Sequence, residues 1–441
     1  MSSHDRLGVV HFRVIDGPWR QARVWGFLLF SALGILLTAE NGFSWESRLP
    51  GSVSLKEEYN DNIFLDVSGK RQSDFITTFS PGLEWGERSE RLDFNLNGHL
   101  HAIEYLRYHE YDALDYDSQA SLQYRLSPRA QVSTAGGFLR DSRPDRDLQT
   151  TGLVLGTVPR ERWFYNLSGN YALSEKGRAE VNYYQYNDNF DSPRYSDSDV
   201  KNASMLFTRD LGDILRLWKA RVQFSYGDYS FFTNPKSETK DYSMTVGAAR
   251  DLSEKWGIVA DLGGRYTQSS FPAAEVQFVP PFFLVLVPVE KETSDWGGVG
   301  ALTLTYQGDL NGGEIGFRQE IAPASGVGVT ERTSLNLSMY HRITEELRAT
   351  FSANYYLNKA GKNQYSRNEI DYQTFYLGPG LRYEYSKKLA IDFSYSFTRV
   401  NDMVANTTSD RNQLMIRLTV QEDLLDALQD FLRWREGREK R

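Results

Sequence analysis

From Trp45 onward the sequence alternates apolar and polar residues with a period of two, and it hardly ever shifts to a helical period. In Arg91–Ala102 one face carries Leu92, Phe94, Leu96, Gly98 and Leu100, and the other Arg91, Asp93, Asn95, Asn97, His99 and His101. Leu347–Leu357 repeats the pattern with Leu347, Ala349, Phe351, Ala353 and Tyr355 against Arg348, Thr350, Ser352 and Asn354. Leu389–Phe397 repeats it with Leu389, Ile391, Phe393, Tyr395 and Phe397 against Ala390, Asp392, Ser394 and Ser396. Successive side chains of an extended strand point to opposite faces, so each segment has one face of oil and one of water. A soluble sandwich can bury an apolar face, but it seldom keeps strands this long and regular along so much of a chain. A barrel closed in lipid does. Aromatic content of 14% beside a mean hydropathy of -0.52 is a pairing foreign to an ordinary soluble core.

The connections alternate in kind. Short polar turns fall at Gly86–Glu90, Ser127–Arg129, Ser174–Gly177, Asp210–Leu217, Ser253–Lys255, Gly308–Gly312, Thr344–Glu346 and Ser386–Lys388. Longer stretches rich in Asp, Asn, Ser, Pro and Lys lie between them, among them Asp141–Pro159, Asp191–Asp199 and Asn358–Asn368. Outer-membrane barrels join strands by short turns on the periplasmic side and long loops outside. With one further strand at each end, near Ser52–Leu65 and Arg411–Gln421, the expectation is an all-β, closed antiparallel transmembrane β-barrel of about 18 strands with both termini in the periplasm. The outer membrane of a Gram-negative bacterium is the expected location, and its lipid a partner.

The expected domain layout is a signal peptide and N-terminal extension over 1–44, the barrel over 45–421 and an amphipathic helix over 422–441. Trp25–Thr38 is an apolar run behind Arg20 and Arg23, too short for a span of about 20 residues. Cleavage after Ala39 or Ser44 fits, with Ser44 preferred. Cysteine is absent, which excludes a disulfide framework and thiolate metal sites. The net charge of -8 argues against nucleic acid as a partner. In the tail, Leu424, Leu425, Leu428, Phe431, Leu432 and Arg435 fall at helical spacing, with acids leading and bases trailing. It suits a helix lying on the inner membrane face or barrel rim, or a dock for a periplasmic partner or a plug.

The tetrapeptide Tyr-Asn-Asp-Asn occurs at Tyr59–Asn62 and again at Tyr186–Asn189. A calcium loop needs converging oxygen ligands and a closing bidentate Glu, which neither copy supplies. Each copy instead fits the point where an upward strand leaves the membrane, its tyrosine in the interfacial girdle. Tyr226, Tyr355 and Tyr395 belong to the same expected girdle.

Enzyme chemistry finds no constellation among six histidines. His99 and His101 share one strand face, yet no third metal ligand can be named, and neither metal nor cofactor is expected. The inward faces carry Arg91, Arg125, Arg178, Arg221, Arg318, Arg348, Arg382 and Arg417 against Asp93, Glu180, Glu314, Glu384 and Asp392. The arginines crowd the periplasmic strand ends, so a basic inner mouth suited to an anionic solute is expected.

Glu57–Gly86, EEYNDNIFLDVSGKRQSDFITTFSPGLEWG, resembles the opening of the β-barrel porin 2 family. The resemblance lies in Glu58–Phe64, Ser73-Asp74, Thr77-Thr78 and Pro81-Gly82-Leu83, and Asp410–Val420 is similar to that family's closing strand. Members of the family resemble large outer-membrane porins, many tied to exopolysaccharide or exosortase systems. The resemblance implies a conduit exporting an exopolysaccharide together with a periplasmic polysaccharide-export protein, and the basic inner mouth makes an anionic polysaccharide the candidate cargo. The alternative is a structural or general-diffusion barrel. This chain departs from the family where residues continue past Val420 instead of ending on an aromatic. One outer segment, Phe271–Val289, is far more apolar than its peers. Its prolines at 272, 280, 281 and 288 exclude a central strand and suggest a hairpin around Pro280-Pro281, which either extends two strands above the membrane or folds in as a constriction.

Overall fold

The structure, a computed structural model, describes residues 46–427 except 68, 155, 194, 213, 233–235, 280–282, 325–327, 363, 366–368 and 426. The expected signal segment and most of the expected C-terminal helix lie outside the described residues. The strands are β1 Glu46–Arg48, β2 Pro50–Asn60, β3 Asp74–Arg88, β4 Leu92–Tyr105, β5 Ala113–Ser127, β6 Ala130–Asp141, β7 Arg160–Ala172, β8 Gly177–Phe190, β9 Ser198–Asp210 and β10 Trp218–Phe231. They continue as β11 Ser237–Asp251, β12 Trp256–Val279, β13 Phe283–Gln307, β14 Asn311–Ala324, β15 Gly328–Arg342, β16 Leu347–Ala360, β17 Ile370–Ser386, β18 Leu389–Asp402 and β19 Thr407–Asp423.

Each strand from β2 to β19 pairs antiparallel with the next, and β19 returns to β2 from Gln413↔Asn60 to Asp423↔Pro50. The result is a closed ring of 18 strands, as the alternation requires. The extra strand β1 continues the β2 register on β3, with Gly51↔Leu83 followed by Arg48↔Gly86. Pro50 has no N–H to give, and the Leu49 N–H turns instead to the Asp423 carboxylate at 3.3 Å. Asp423 also accepts from the Leu425 N–H at 2.9 Å, so one side chain ends the last strand and starts the helical turn at Leu424 and Leu425.

The eight short turns all lie at one end of the ring, where the sequence put them. Leu55, Phe79, Leu262, Leu335 and Phe393 stand exposed on the outer face, while Glu58, Asp188, Asp261, Arg265, Asn358 and Arg411 are buried on the inner one. Tyr226, Tyr242, Tyr266 and Trp296 are successive ladder partners and form one aromatic row on the outer face. Ring centroids lie 5.1 Å apart for Tyr226–Tyr242 and 4.8 Å for Tyr266–Trp296.

The apolar segment 271–289 extends two strands. The β12–β13 ladder runs on to Val279↔Phe283, whereas the last β11–β12 partner is Glu238↔Ser270. Pro272 and Pro288 thus fall in a two-stranded ribbon beyond the ring, where each strand has a free edge and a missing N–H need not cost a ladder bond.

Candidate functional site: the lumen

The ladder fixes which inward side chains stand beside one another. Starting at the periplasmic end of β15, successive partners read Arg342↔Arg348, Arg348↔Arg382, Arg382↔Asp392, Asp392↔Arg417 and Arg417↔Lys56. Five cations and one carboxylate therefore occupy one row across six neighbouring strands. All six share parity with the polar face of their strands, since Leu335, Phe351, Leu381, Phe393, Ile416 and Leu55 hold the lipid face. Arg382 spends its charge on Asp392 at 3.3 Å and Glu384 at 3.1 Å. Arg348 lies over the Tyr340 ring at 4.4 Å, and Arg417 reaches only the Met415 sulfur at 3.9 Å. Among the described residues neither Arg348 nor Arg417 forms an ion pair.

Above Lys56 the lumen narrows. The connection between β6 and β7, residues 142–159, turns inward and crosses to the far wall. Its first anchor is Arg143, whose guanidinium grips Glu58 at 2.8 and 2.9 Å and Asp145 at 3.0 Å. Asp145 also accepts from Arg411 on β19 at 2.9 Å. The second anchor is a one-turn helix, Leu148–Thr151, that meets β16 and β17. Asn358 donates to the Thr151 carbonyl at 2.9 Å, Gln149 donates to the Tyr376 hydroxyl at 3.1 Å, and the hydroxyls of Tyr356 and Thr374 donate to the carbonyls of Gln149 and Gly152. Gly152 has φ +70°, and a Cβ there would stand 2.4 Å from Tyr356, so only glycine permits both the turn and the approach. Counting round the ring, β6 to β17 is seven steps one way and β7 to β16 nine steps the other, so the loop spans nearly the full width.

At the loop's return, Arg160 binds Asp147 at 2.8 Å and Asp141 at 2.5 Å, and Arg162 binds Asp188 at 2.6 and 2.7 Å. Burial alone would raise the Asp145 carboxyl, but Arg143 and Arg411 outweigh it and hold Asp145 well below the usual carboxylate range. Pairing both ends is what makes so many charges tolerable away from bulk water, because an ion left alone there costs several kcal/mol.

The other residues singled out in the sequence are distributed as follows. Arg91 lies exposed in the β3–β4 turn at the periplasmic mouth, and Asp93 pairs with Arg88 at 3.4 Å. Arg178 and Glu180 face inward low on β8, Arg221 bonds Asp261 at 3.0 Å, and Arg318 lies 3.6 Å from Glu320. His99 and His101 both reach one carboxylate, Asp117, at 3.0 Å, and His101 also bonds the Ser80 hydroxyl at 2.8 Å. Among the described residues no group of His, Asp and Glu is arranged to hold a metal.

Tyr59, Tyr226, Tyr355 and Tyr395 share the phase of the lipid face. Tyr186 does not, and its expected place in the girdle is corrected. On β8 the exposed Val181 sets the outward phase, so Tyr183, Gln185 and Asn187 point out and Tyr184, Tyr186 and Asp188 point in. Arg162 lies over the Tyr186 ring at 4.3 Å, and the ring joins a lumenal cluster with Val200, Tyr229, Phe231, Ile321, Val329 and Tyr365. The two copies of the tetrapeptide thus sit in opposite phase. In the first, Asn60 and Asn62 are buried, and Asn62 ties the chain to the carbonyls of Asp66 and Asp410.

The ladder closes on itself, the outside is apolar, and the inside is lined with ions, which only a lipid surrounding with water within explains. The protein is an outer-membrane β-barrel. No protein-family model matches the chain, and a search of curated proteins gives no match. Solved structures similar to it include Pseudomonas aeruginosa OpdL, at 14% identity over 85% of this chain and 99% of that one with a TM-score of 0.41. Another is the outer membrane channel DcaP of Acinetobacter baumannii, at 12% identity over 86% and 98% with a TM-score of 0.42. Acinetobacter baumannii OccAB1 is similar at 12% identity over 85% and 97%, TM-score 0.42. The membrane assignment comes from the closed ladder and the two faces of this barrel.

Sequence reasoning missed Lys56 and Arg342 in the basic row and Glu58, Arg143, Asp145 and Arg411 at the constriction. Arg342 was within reach, because the turn at Thr344–Glu346 already faces it to Arg348.

Proposed function

We propose that the protein is a channel for small anionic solutes, which move along the row Arg342, Arg348, Arg382, Arg417 and Lys56 between the periplasmic mouth and the Arg143 constriction. The observation that carries this reading is the register itself, which sets five cations side by side with a single carboxylate among them. Such a strip raises the local concentration of anions and lowers that of cations, and inside a confined lumen its field is focused. The effect fades with salt, whose screening length is about 8 Å at physiological strength.

A second reading is favoured by the resemblance at Glu58–Phe64 and Pro81–Leu83: export of an acidic polysaccharide handed over by a periplasmic export protein. A polymer needs more width than a small ion, so this reading requires residues 142–159 to leave the lumen when the partner docks. The test is the reversal potential of single channels in a salt gradient. Arg348→Ser combined with Arg417→Ser is expected to cut the anion-to-cation permeability ratio by about threefold, the cost of losing two screened charges. An unchanged ratio would remove the basic row from the reading. Passage of a sulfated dextran through protein lacking residues 143–158, and not through the full chain, would favour the polymer.

A further inference from the structure

The wall of the ring is not sealed by one uniform ladder. Between β13 and β14 pairing runs from Gln307↔Gly312 to Gly300↔Gln319 and stops, while β12–β13 continues to Val279↔Phe283 and β14–β15 to Ala324↔Gly328. The sequence supplies a cause. β13 carries Gly297, Gly298 and Gly300, and Pro323, which cannot donate, stands where a continued register would meet Trp296.

The height of this break matters. Gly300 is the partner of Leu262, itself the partner of Val246, and both side chains are exposed on the lipid face. The aromatic row at Tyr242, Tyr266 and Trp296 lies four residues further along the strands. The stretch Gly297–Val299 therefore loses its β14 neighbour within the outer half of the bilayer.

There the β14–β15 hairpin slips inside the β12–β13 wall. Glu331 shares the face of β15 that carries lipid-facing Leu335 and Met339, and Arg265 is on the lumenal face of β12. Nevertheless Arg265 Nη2 lies 3.2 Å from Glu331 Oε2. The two hairpins must overlap, the lipid-side face of one against the lumen-side face of the other. The overlap is bolted by Gln364 and Tyr365. Arg265 donates to the Tyr365 hydroxyl at 3.0 Å, Tyr365 donates to Asp295 at 2.9 Å, Gln364 donates to Asp295 at 3.1 Å, and Thr293 donates to the Gln364 carbonyl at 2.6 Å. Beside the bolt lies an apolar cluster of the lumen that includes Tyr229, Phe231, Ile321 and Val329. At the outer lip Trp296 is 77% exposed.

We infer that this overlap is a lateral gate between lumen and outer leaflet for a single-chain amphiphile with an anionic headgroup. The headgroup replaces Glu331 on Arg265, and the chain lies against Tyr229, Phe231, Ile321 and Val329. Arg265 is fully buried; its Nη1 donates to the Thr267 hydroxyl at 2.7 Å and its Nη2 meets Tyr365, Glu331 and, at 3.5 Å, Asp295, while its Nε has no partner, so an oxyanion that takes the place of Glu331 has one more donor to reach. Lipid is the source because the break faces the bilayer, where an unpaired strand edge is costly until another group covers it. This goes beyond the anion row, which lies lower on β15–β2 and serves solutes from water.

The experiment uses the full chain in phosphatidylcholine vesicles and a dodecyl sulfonate with a diazirine at its chain end, with labelled residues read by peptide mass spectrometry. The chain has no cysteine, so Thr293→Cys with Gln364→Cys gives a single disulfide that locks the bolt. Label is expected on Tyr229, Phe231 and Val329, falling about fivefold in the oxidised pair and returning on reduction, and rising about twofold in Glu331→Gln, which removes one of the two carboxylates beside Arg265. Label confined to the lipid belt around Leu302 and Phe317, or equal in all proteins, would overturn the gate. If the pair does not oxidise, Glu331→Gln decides alone.

Discussion

Residues 142–159 and the ribbon at the end of β12–β13 leave the barrel at the same end with opposite chemistry and opposite destinations. The first carries four charges in five residues, Arg143, Asp145, Arg146 and Asp147, and lies across the lumen, whereas the second is the most apolar outer segment and projects as paired strands. In a soluble protein the assignment would be reversed, because the interior there is oil. Here the interior is a wet, charged cavity, and a charged loop finds partners through Arg143 on Glu58, Asp145 on Arg411 and Arg146 on Asp141 that an apolar one could not use. The ribbon has no such partners to gain inside, and its backbone is satisfied by its own ladder. Of the two fates open to Phe271–Val289, extension of two strands and an inward constriction, the ladder shows the first.

The largest break in this comparison comes from Arg143→Ala. It removes the cation that Glu58 and Asp145 share and leaves Glu58 with Lys56 and Asp145 with Arg411, which costs about 1.5–3 kcal/mol against the docked loop. Single-channel conductance is expected to rise and residues 142–159 to become cleavable by added protease; unchanged conductance would mean the β16–β17 contacts hold the loop unaided. A smaller effect follows from acid. Asp145 titrates lower in the docked loop than the free side chain at about 3.9, so its contribution to docking is complete above that value and is lost as pH falls through the docked one. Conductance should stay flat from neutral pH to about 4.5 and open only in stronger acid; opening at milder pH would assign the clamp to another group. The smallest effect is expected from trimming the ribbon by deleting residues 274–288. Conductance should not change, and a clear increase would show that the ribbon also shades the outer mouth.

Much of the fold was legible because it depends on parity and turns, which are local. Leu92 to Leu100 declares its lipid face without knowledge of any other strand, and the Ser174–Gly177 turn declares its hairpin. The strand ends were less so. The last strand runs to Asp423, because a capping carboxylate, and not a change of hydropathy, ends it. Tyr186 was misplaced because the repeated tetrapeptide was given more weight than the strand phase set by Val181. The basic row could be read only in part. Arg342 and Arg348 face each other across one turn, but joining them to Arg417 and Lys56 needs the register of five ladders, one shifted by an irregularity between Glu384 and Ser386. The constriction was out of reach, since Arg143 and Glu58 are 85 positions apart and nothing in either neighbourhood names the other.

The basic row has a consequence for motion. Ladder partners lie perpendicular to their strands, at a spacing of about 4.8 Å, and barrel strands tilt about 40° from the axis. Arg342 is the last residue of β15 and Arg348 the second of β16, whereas Lys56 is the seventh of β2. The row is therefore a ramp. Each step of the row rises about 3 Å along the axis and moves about 4 Å sideways round the wall. A bound anion would not fall straight through but would circle about a quarter of the circumference as it climbs. In the proposed channel its travel would be a curved glide between closely spaced footholds, none far enough from the next for the ion to be wholly released to water.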